Sequence, residues 1–366
     1  MSQGAPDPDL PSPELVGEWL QAAAADPLAL PDEGYAALLG ADGPQLEELR
    51  ALADALRRQS VGDALTYVVN RNLDPAAVAG RDRRSRDRLA ALVTEAADLG
   101  ATEVCLQGPL PPGVDDDYLD LIAAVRAAGP RIHLHAFRPP ELLDGAARRG
   151  MPLEEFLIAA REAGLGSVPG TAARILDDGV RARMAGGADL PVTRWVEVIE
   201  TAHRAGLNST ATMVFGHIET PADQVAHLRL LAAIQDRTGG FTEFIAMPFV
   251  PAAVAVTAPG LVGADVPGPS WRQVLAVHAV ARLMLHQRID NIQAAWPKFG
   301  LDASVDLLRS GASDLGGLLL DGRLAPEAGA EAGLVLTLDD VQRVARELGR
   351  PVWQRTTSYD RVVAGV

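Results

Sequence analysis

The chain of 366 residues carries 33 Lys+Arg against 48 Asp+Glu, a formal net charge of −15. That charge argues against nucleic-acid backbones and anionic membrane surfaces as general partners. No apolar run approaches the roughly 18 residues of a membrane span. The start MSQGAPDPDLPSPE lacks a basic n-region and an apolar h-region, so a cytoplasmic chain without a signal peptide is expected. One cysteine, Cys105, excludes an internal disulfide, a CxxC pair and any centre that needs several thiolates from this chain.

In chain order, residues 1–12 read as a Pro- and Asp-rich disordered arm and 13–62 as an N-terminal helical cap, clearest over 45–59. From 63 to 366 short apolar runs alternate with longer amphipathic ones, the pattern of parallel strands joined by helices. Eight strands are predicted, at 67–70, 102–107, 131–137, 166–168, 209–215, 242–249, 291–296 and 314–320. The clearest intervening helices are predicted at 88–99, 153–163, 194–205, 222–237 and 271–286. Eight such units predict a (β/α)8 TIM-type barrel with a C-terminal extension, whose active site would lie at the C-terminal ends of the strands. Two long loops are expected, 177–191 and 252–270, the second as a lid or cover.

Polar side chains gather at those strand ends: Asn70, Arg71, Asn72, Gln107, His135, His217, Glu219, Gln293, Lys298 and Asp321. His133 and His135, two apart on a strand, point to the same side, into the barrel. Such a pair reads either as inner-wall hydrogen bonding or as the start of a metal site completed by His217 and by Glu243 or Asp314. The run Arg81-Asp82-Arg83-Arg84-Ser85-Arg86-Asp87-Arg88 reads as a solvated helix start or as a grip for a phosphate or carboxylate. Gly239-Gly240 and Gly316-Gly317 have neither the GxGxxG nor the GxxxxGK[ST] form, and no GxSxG elbow is present. Cys105, mid-strand among apolar neighbours, reads as a buried, inert thiol.

Ten collinear segments carry a family resemblance. They include TYVVNRN (66–72), GATEVCLQG (100–108), HLHAF (133–137), TAHRAGLNSTATMVFGH (201–217), TGGFTEFIAMPFV (238–250), NIQAAWPKFG (291–300), GASDLGG (311–317) and QRTTSYDRV (354–362). From about residue 44 to 362 the chain closely resembles the radical S-adenosylmethionine (SAM) enzymes that make the deazaflavin precursor FO, in their tyrosine-using, CofH-like half. The resemblance implies a radical SAM barrel in which three cysteines after the first strand hold a four-iron, four-sulfur cluster. There SAM yields a radical that acts on tyrosine, and a tyrosine fragment is joined to a ribitylaminouracil.

The chain departs from that pattern. Where the family continues NRN into CxxxCxxC, this sequence reads LDPAAVAGRDRRSRDRLAAL, with Ala79 near the first cysteine position. Gly108-Pro109 replaces a Gly-Gly of the SAM site, Arg138-Pro139 replaces Ser-Pro, and a His-Met-Glu-Ala-Pro stretch becomes Pro251-Ala252-Ala253-Val254. A histidine expected after the eighth strand is lost from the stretch 321–333.

From these departures the expectation is a degenerate, cluster-less member with no iron–sulfur cluster and no settled SAM site. It would be a repurposed non-radical enzyme acting on a small polar or anionic metabolite in a specialised biosynthetic pathway. His135, His217 and Glu219 are its expected acid/base groups; Asn70, Arg71, Asn72, Gln107, Arg138, Glu243, Gln293 and Lys298 are its expected ligand contacts. The alternatives are a non-catalytic homologue that binds a ligand or partners an intact radical SAM enzyme, and a metal-dependent hydrolase on His133 and His135; a second copy of the chain is the other partner considered.

Overall fold

The structure is a computed structural model that describes residues 10–114, 116–250, 267–318, 320 and 336–362. The expected cover at 252–270, except its last four residues, and Asp321 lie outside them, as do the replacement stretch from Pro251 and the stretch 321–333.

Ten strands occur among the described residues: β1 (Leu65–Val68), β2 (Asn70–Leu73), β3 (Glu103–Leu106), β4 (His133–Ala136), β5 (Ser167–Val168), β6 (Asn208–Phe215), β7 (Phe241–Pro248), β8 (Ile292–Gln293), β9 (Asp314–Gly317) and β10 (Val352–Gln354). All their pairings are parallel, and β2 through β9 neighbour one another in sequence order. β1 and β2 are one strand broken at Val69. β1 pairs with β9, and β2 pairs with β3. The Leu318 and Leu320 amides donate to the Val68 and Asn70 carbonyls, and Thr102 donates to Val69. These bonds close the ring, giving the eight barrel strands the apolar runs predict. The result is a parallel (β/α)8 barrel with an N-terminal helical cap.

β10 is the strand the sequence reading misses. It lies beside β1, from Leu65 against Val352 to Tyr67 against Gln354, and carries the chain under the N-terminal end of the barrel. Its three residues are only half-buried, so no apolar run announces them.

Local signals explain most helix boundaries. Asp82 accepts from the Ser85 amide and caps Arg83–Asp98, so the arginine run forms the first turns of a helix predicted to begin at 88. Thr220 with Asp223, and Ser270 with Gln273, form capping boxes at Pro221–Thr238 and Trp271–Leu285. The predicted loop at 177–191 is instead partly helical, Asp178–Ala185, because Asp177 accepts from the Val180 amide. The predicted strand at 291–296 stops at Gln293. Pro297 sits in the first turn of the short helix Trp296–Phe299, where a missing N–H costs nothing.

The cap helices Pro13–Ala25, Asp32–Leu39 and Gly43–Val61 bury Leu20, Leu38, Leu49 and Leu56 in the core they share with Trp271–Leu285. No described helix is long and apolar enough to cross a membrane.

Candidate active site in the barrel cavity

Alternation along each strand aims every second side chain at the barrel axis. Asn70 and Asn72, Glu103 and Cys105, His135, Thr210, Glu243 and Ile245, and Gln293 therefore line one cavity. It opens past Gln107, Thr171 and Lys298, with about 200 Å³ of open space. Two glycines give it its shape. A Cβ on Gly317 would collide with the Asn70 amide, and one on Gly316, whose φ is +78°, with the Gln293 amide. Gly316-Gly317 thus makes room for two wall amides.

The floor is a closed polar network built by the segment after β10. Arg355, 2% exposed, forks onto Asp314, Nε to Oδ2 at 2.6 Å and Nη2 to Oδ1 at 2.9 Å, and its Nη2 also reaches Glu243 Oε2 at 3.1 Å. The guanidinium carbon lies 4.0 Å from the Tyr359 ring centroid. Tyr359 donates to Glu243 Oε2 at 2.5 Å. Thr66 donates to Asp314 Oδ2 at 2.5 Å, and Thr357 donates to Glu103 Oε2 at 2.6 Å. Asn70 Nδ2 and Cys105 Sγ lie 3.3 and 3.1 Å from Glu103 Oε1.

This packing sets the protonation states. Burial pushes the Glu243 carboxyl up to about 7 against the pull of Arg355, and Asp314 adds to the rise. Burial also pushes the Cys105 thiol well above its usual range, with the Glu103 charge adding to it, so this thiol is inert as the sequence suggests. Burial brings His135 down to about 4, although Glu103 draws it upward.

At the mouth the wall is different. The Asn72 and Gln293 side chains make no hydrogen bond among the described residues, and Gln107 accepts only from Thr171, at 3.2 Å. Their donors and acceptors face the cleft.

Of the expected site residues, Asn70, Asn72, Gln107, His135, Glu243, Gln293 and Lys298 come together here; the others do not. Arg71 points out of the barrel, buried, and donates to the Leu92 carbonyl at 2.7 Å and to Glu95 at 2.9 Å, pinning the helix Arg83–Asp98. Arg138 stands at the N-terminal boundary of Pro139–Arg149, where its amide and guanidinium both donate to Glu141. His217 and Glu219 lie after the β6 turn in a separate groove beside the cap helix Asp32–Leu39. Glu219 there accepts from the Gly216 and His217 amides, and the His217 ring packs edge-on against Phe249 at 4.2 Å. Neither is an acid/base group of the barrel cavity.

Carboxylates already engage part of the arginine run that reads as an anion grip. Arg81 is held by Asp117 and Asp120, and Arg86 by Asp116. Both histidines of the His-x-His pair bind the Ser167 hydroxyl, His133 Nε2 and His135 Nδ1 each at 2.7 Å. This is the inner-wall arrangement, and among the described residues no group of three His, Cys, Asp or Glu side chains is placed to hold a metal ion. Arg355, Thr357 and Tyr359 are the site residues the sequence reading overlooks, although their segment belongs to the family resemblance.

Comparison with known proteins places this geometry. Residues 238–363 match the family model of the CofH/MqnC C-terminal region. The chain is 45% identical over 360 residues to an FO synthase of Nocardia farcinica and 44% identical over 357 residues to one of Mycobacterium leprae, covering 94% and 93% of this chain. It spans about two fifths of the length of those relatives, 41% of each. It is 39% identical to the 5-amino-6-(D-ribitylamino)uracil--L-tyrosine 4-hydroxyphenyl transferase of Methanothermobacter thermautotrophicus, over 94% of this chain and 96% of the relative. Among solved structures, the FeFe-hydrogenase maturase HydG of Carboxydothermus hydrogenoformans covers 94% of this chain, with 81% of its own length, at a TM-score of 0.67 and 13% identity. Methylornithine synthase covers 92%, with 97% of its own length, at 0.62 and 17%. Both show a shared fold.

These relatives correct the functional expectation. A repurposed, cluster-less, non-radical enzyme, a non-catalytic homologue and a metal-dependent hydrolase all give way, because nearly the whole chain follows proteins named for FO synthesis and 4-hydroxyphenyl transfer. The expectation of no iron–sulfur cluster and no settled SAM site falls with them, because it rested on a departure from FO synthesis and nearly the whole chain follows relatives named for that synthesis.

The fit of this chain's own residues to a three-thiolate cluster is a separate matter. The chain's single cysteine is buried in β3 against Glu103 and Asn70, which does not fit such a ligand set. Identity along nearly the whole of both chains leads to one assignment: this chain belongs to the CofH-like FO synthase family.

Proposed function

We propose that the barrel cavity holds the reactants named for the archaeal relative, 5-amino-6-(D-ribitylamino)uracil and L-tyrosine, and that the chain serves 4-hydroxyphenyl transfer between them. The observation that carries this reading is the uncommitted amide wall of Asn72 and Gln293 above a floor that is already fully bonded. A primary amide presents one acceptor and two donors, which suits a pyrimidinedione edge and a polyol chain, both rich in paired donors and acceptors. Lys298 at the rim suits the amino-acid carboxylate. Glu243 borders the cavity from below with a carboxyl that takes up or gives up a proton near neutrality, the range in which an acid/base group works.

Titration calorimetry of the purified chain with each compound tests the assignment. The reading expects saturable binding of the ribitylaminouracil that weakens by about tenfold in Asn72→Ala, the cost of one lost hydrogen bond. Absence of heat for both compounds, or unchanged affinity in Asn72→Ala, overturns it.

A further inference from the structure

We propose that His133, Ser167 and His135 form a proton relay through the barrel wall, joining the solvent under the barrel to the ligand cavity. The two imidazoles lie on one strand, β4, two residues apart and facing the same way. The Ser167 hydroxyl on neighbouring β5 stands between them, 2.7 Å from a ring nitrogen of each. The two ends open on different spaces. His133 lines a cleft on the N-terminal face of the barrel with Arg126, Arg161 and Glu162, whereas His135 lines the ligand cavity. With Nδ1 on Ser167, His135 keeps Nε2 for the cavity, and that nitrogen has no hydrogen-bond partner among the described residues.

One hydroxyl carries one proton, so the two contacts cannot be alike. If His133 Nε2–H donates to Ser167, Ser167 donates to His135 Nδ1, and His135 presents an N–H to the cavity. If Ser167 donates to His133 instead, His135 Nδ1–H donates to Ser167, and His135 presents a lone pair. The two states differ by one concerted transfer. A proton from water binds His133 Nδ1, the Nε2 proton passes to Ser167, the Ser167 proton passes to His135 Nδ1, and His135 Nε2–H goes to a basic oxygen or nitrogen of the bound ligand. No heavy-atom bond is made or broken, and the reverse transfer restores the first state by returning a proton to water.

The surrounding charges support this. Glu103, paired in register with His133 on the adjacent strand, draws both imidazoles upward, while Arg355 opposes it at His135; burial outweighs both and keeps the pair neutral at pH 7. Cys105, paired in register with His135, stays a neutral thiol. A neutral pair is what a one-proton shuttle needs.

The relay makes a prediction about tautomers that requires no ligand, so it stands or falls apart from the substrate assignment. With histidine ring nitrogens labelled with ¹⁵N and assigned through His133→Gln and His135→Gln, a titration from about pH 8 downward follows both rings in the intact chain. As His133 becomes an imidazolium, its Nε2–H must donate, and neutral His135 is expected to shift to the Nε2–H tautomer in step. Ser167→Ala should abolish that coupling, and Ser167→Thr, which keeps the hydroxyl, should retain it. A neutral His135 that carries its proton on Nδ1 while His133 is an imidazolium in the wild-type chain overturns the relay, whether or not the alanine variant folds. So does a change that persists in Ser167→Ala.

Discussion

The floor and the mouth of the barrel are both lined by polar side chains, yet they differ in what those side chains are doing. On the floor, Arg355, Asp314, Glu243, Tyr359, Thr357 and Glu103 bond one another. At the mouth, Asn72 and Gln293 bond nothing among the described residues. A polar group removed from bulk water without a partner is costly, so an uncommitted amide wall is tolerated where a ligand or solvent completes it. Polarity at a strand end is therefore a weak sign of function, and unspent hydrogen-bonding capacity is a stronger one.

The sharpest way to break this comparison is at Arg355. Arg355→Ala leaves the carboxylates of Asp314 and Glu243 buried without their shared cation, and a loss of about 3–5 kcal/mol is expected in urea unfolding. A loss under about 1 kcal/mol would show that the floor network is not what holds the C-terminal segment against the barrel. Arg71→Ala should come next. It removes the guanidinium 2.9 Å from the buried Glu95 carboxylate on the outer face, so stability falls by about 3 kcal/mol while ligand affinity stays unchanged, since Arg71 does not reach the cavity.

Glu243 sharpens the comparison through pH. Its folded pKa of about 7 lies above the ordinary carboxylate value of 4.5. Between those values the folded chain binds more protons than the unfolded one. The contribution of Glu243 is thus fully present below the unfolded value and is lost as pH rises through about 7. Unfolding free energies measured across that window should decline in the wild-type chain and decline less in Glu243→Gln; parallel curves would refute the raised value. The smallest stability effects belong to the mouth. Asn72→Ala and Gln293→Ala should move the urea midpoint only as surface substitutions do, within about 0.5 kcal/mol.

How much of this is legible in the sequence depends on periodicity. The eight barrel strands announce themselves because each is an apolar run between helices. The same period of two separates Asn70 and Asn72, which face the cavity, from Arg71, which faces the helix behind it. Grouping all three as ligand contacts overlooks that alternation. Arg138 looks like a new cation in the wall, but Pro139-Pro140 with Glu141 three residues on is a helix start, and the carboxylate claims the guanidinium. His217 and Glu219 follow Gly216, whose φ of +82° turns the chain out of the barrel, a change of direction that composition does not record. Arg355, Thr357 and Tyr359 arrive from beyond the last helix, Leu338–Leu348, where neither helical nor strand periodicity predicts a return beneath the cavity. Family likeness was readable from collinear segments, whereas the inference that lost cysteines imply a different reaction was not supported by the relatives that share those segments.

The central claim is that the mouth binds and the floor holds. Measuring affinity for 5-amino-6-(D-ribitylamino)uracil and the urea midpoint on the same three variants, Asn72→Ala, Gln293→Ala and Arg355→Lys, tests it most directly. The account predicts weakened binding at an unchanged midpoint for the two mouth variants, and a lowered midpoint with binding intact in the folded fraction for Arg355→Lys. Mouth variants that unfold the chain yet bind normally, or a fully stable Arg355→Lys that no longer binds, would contradict it.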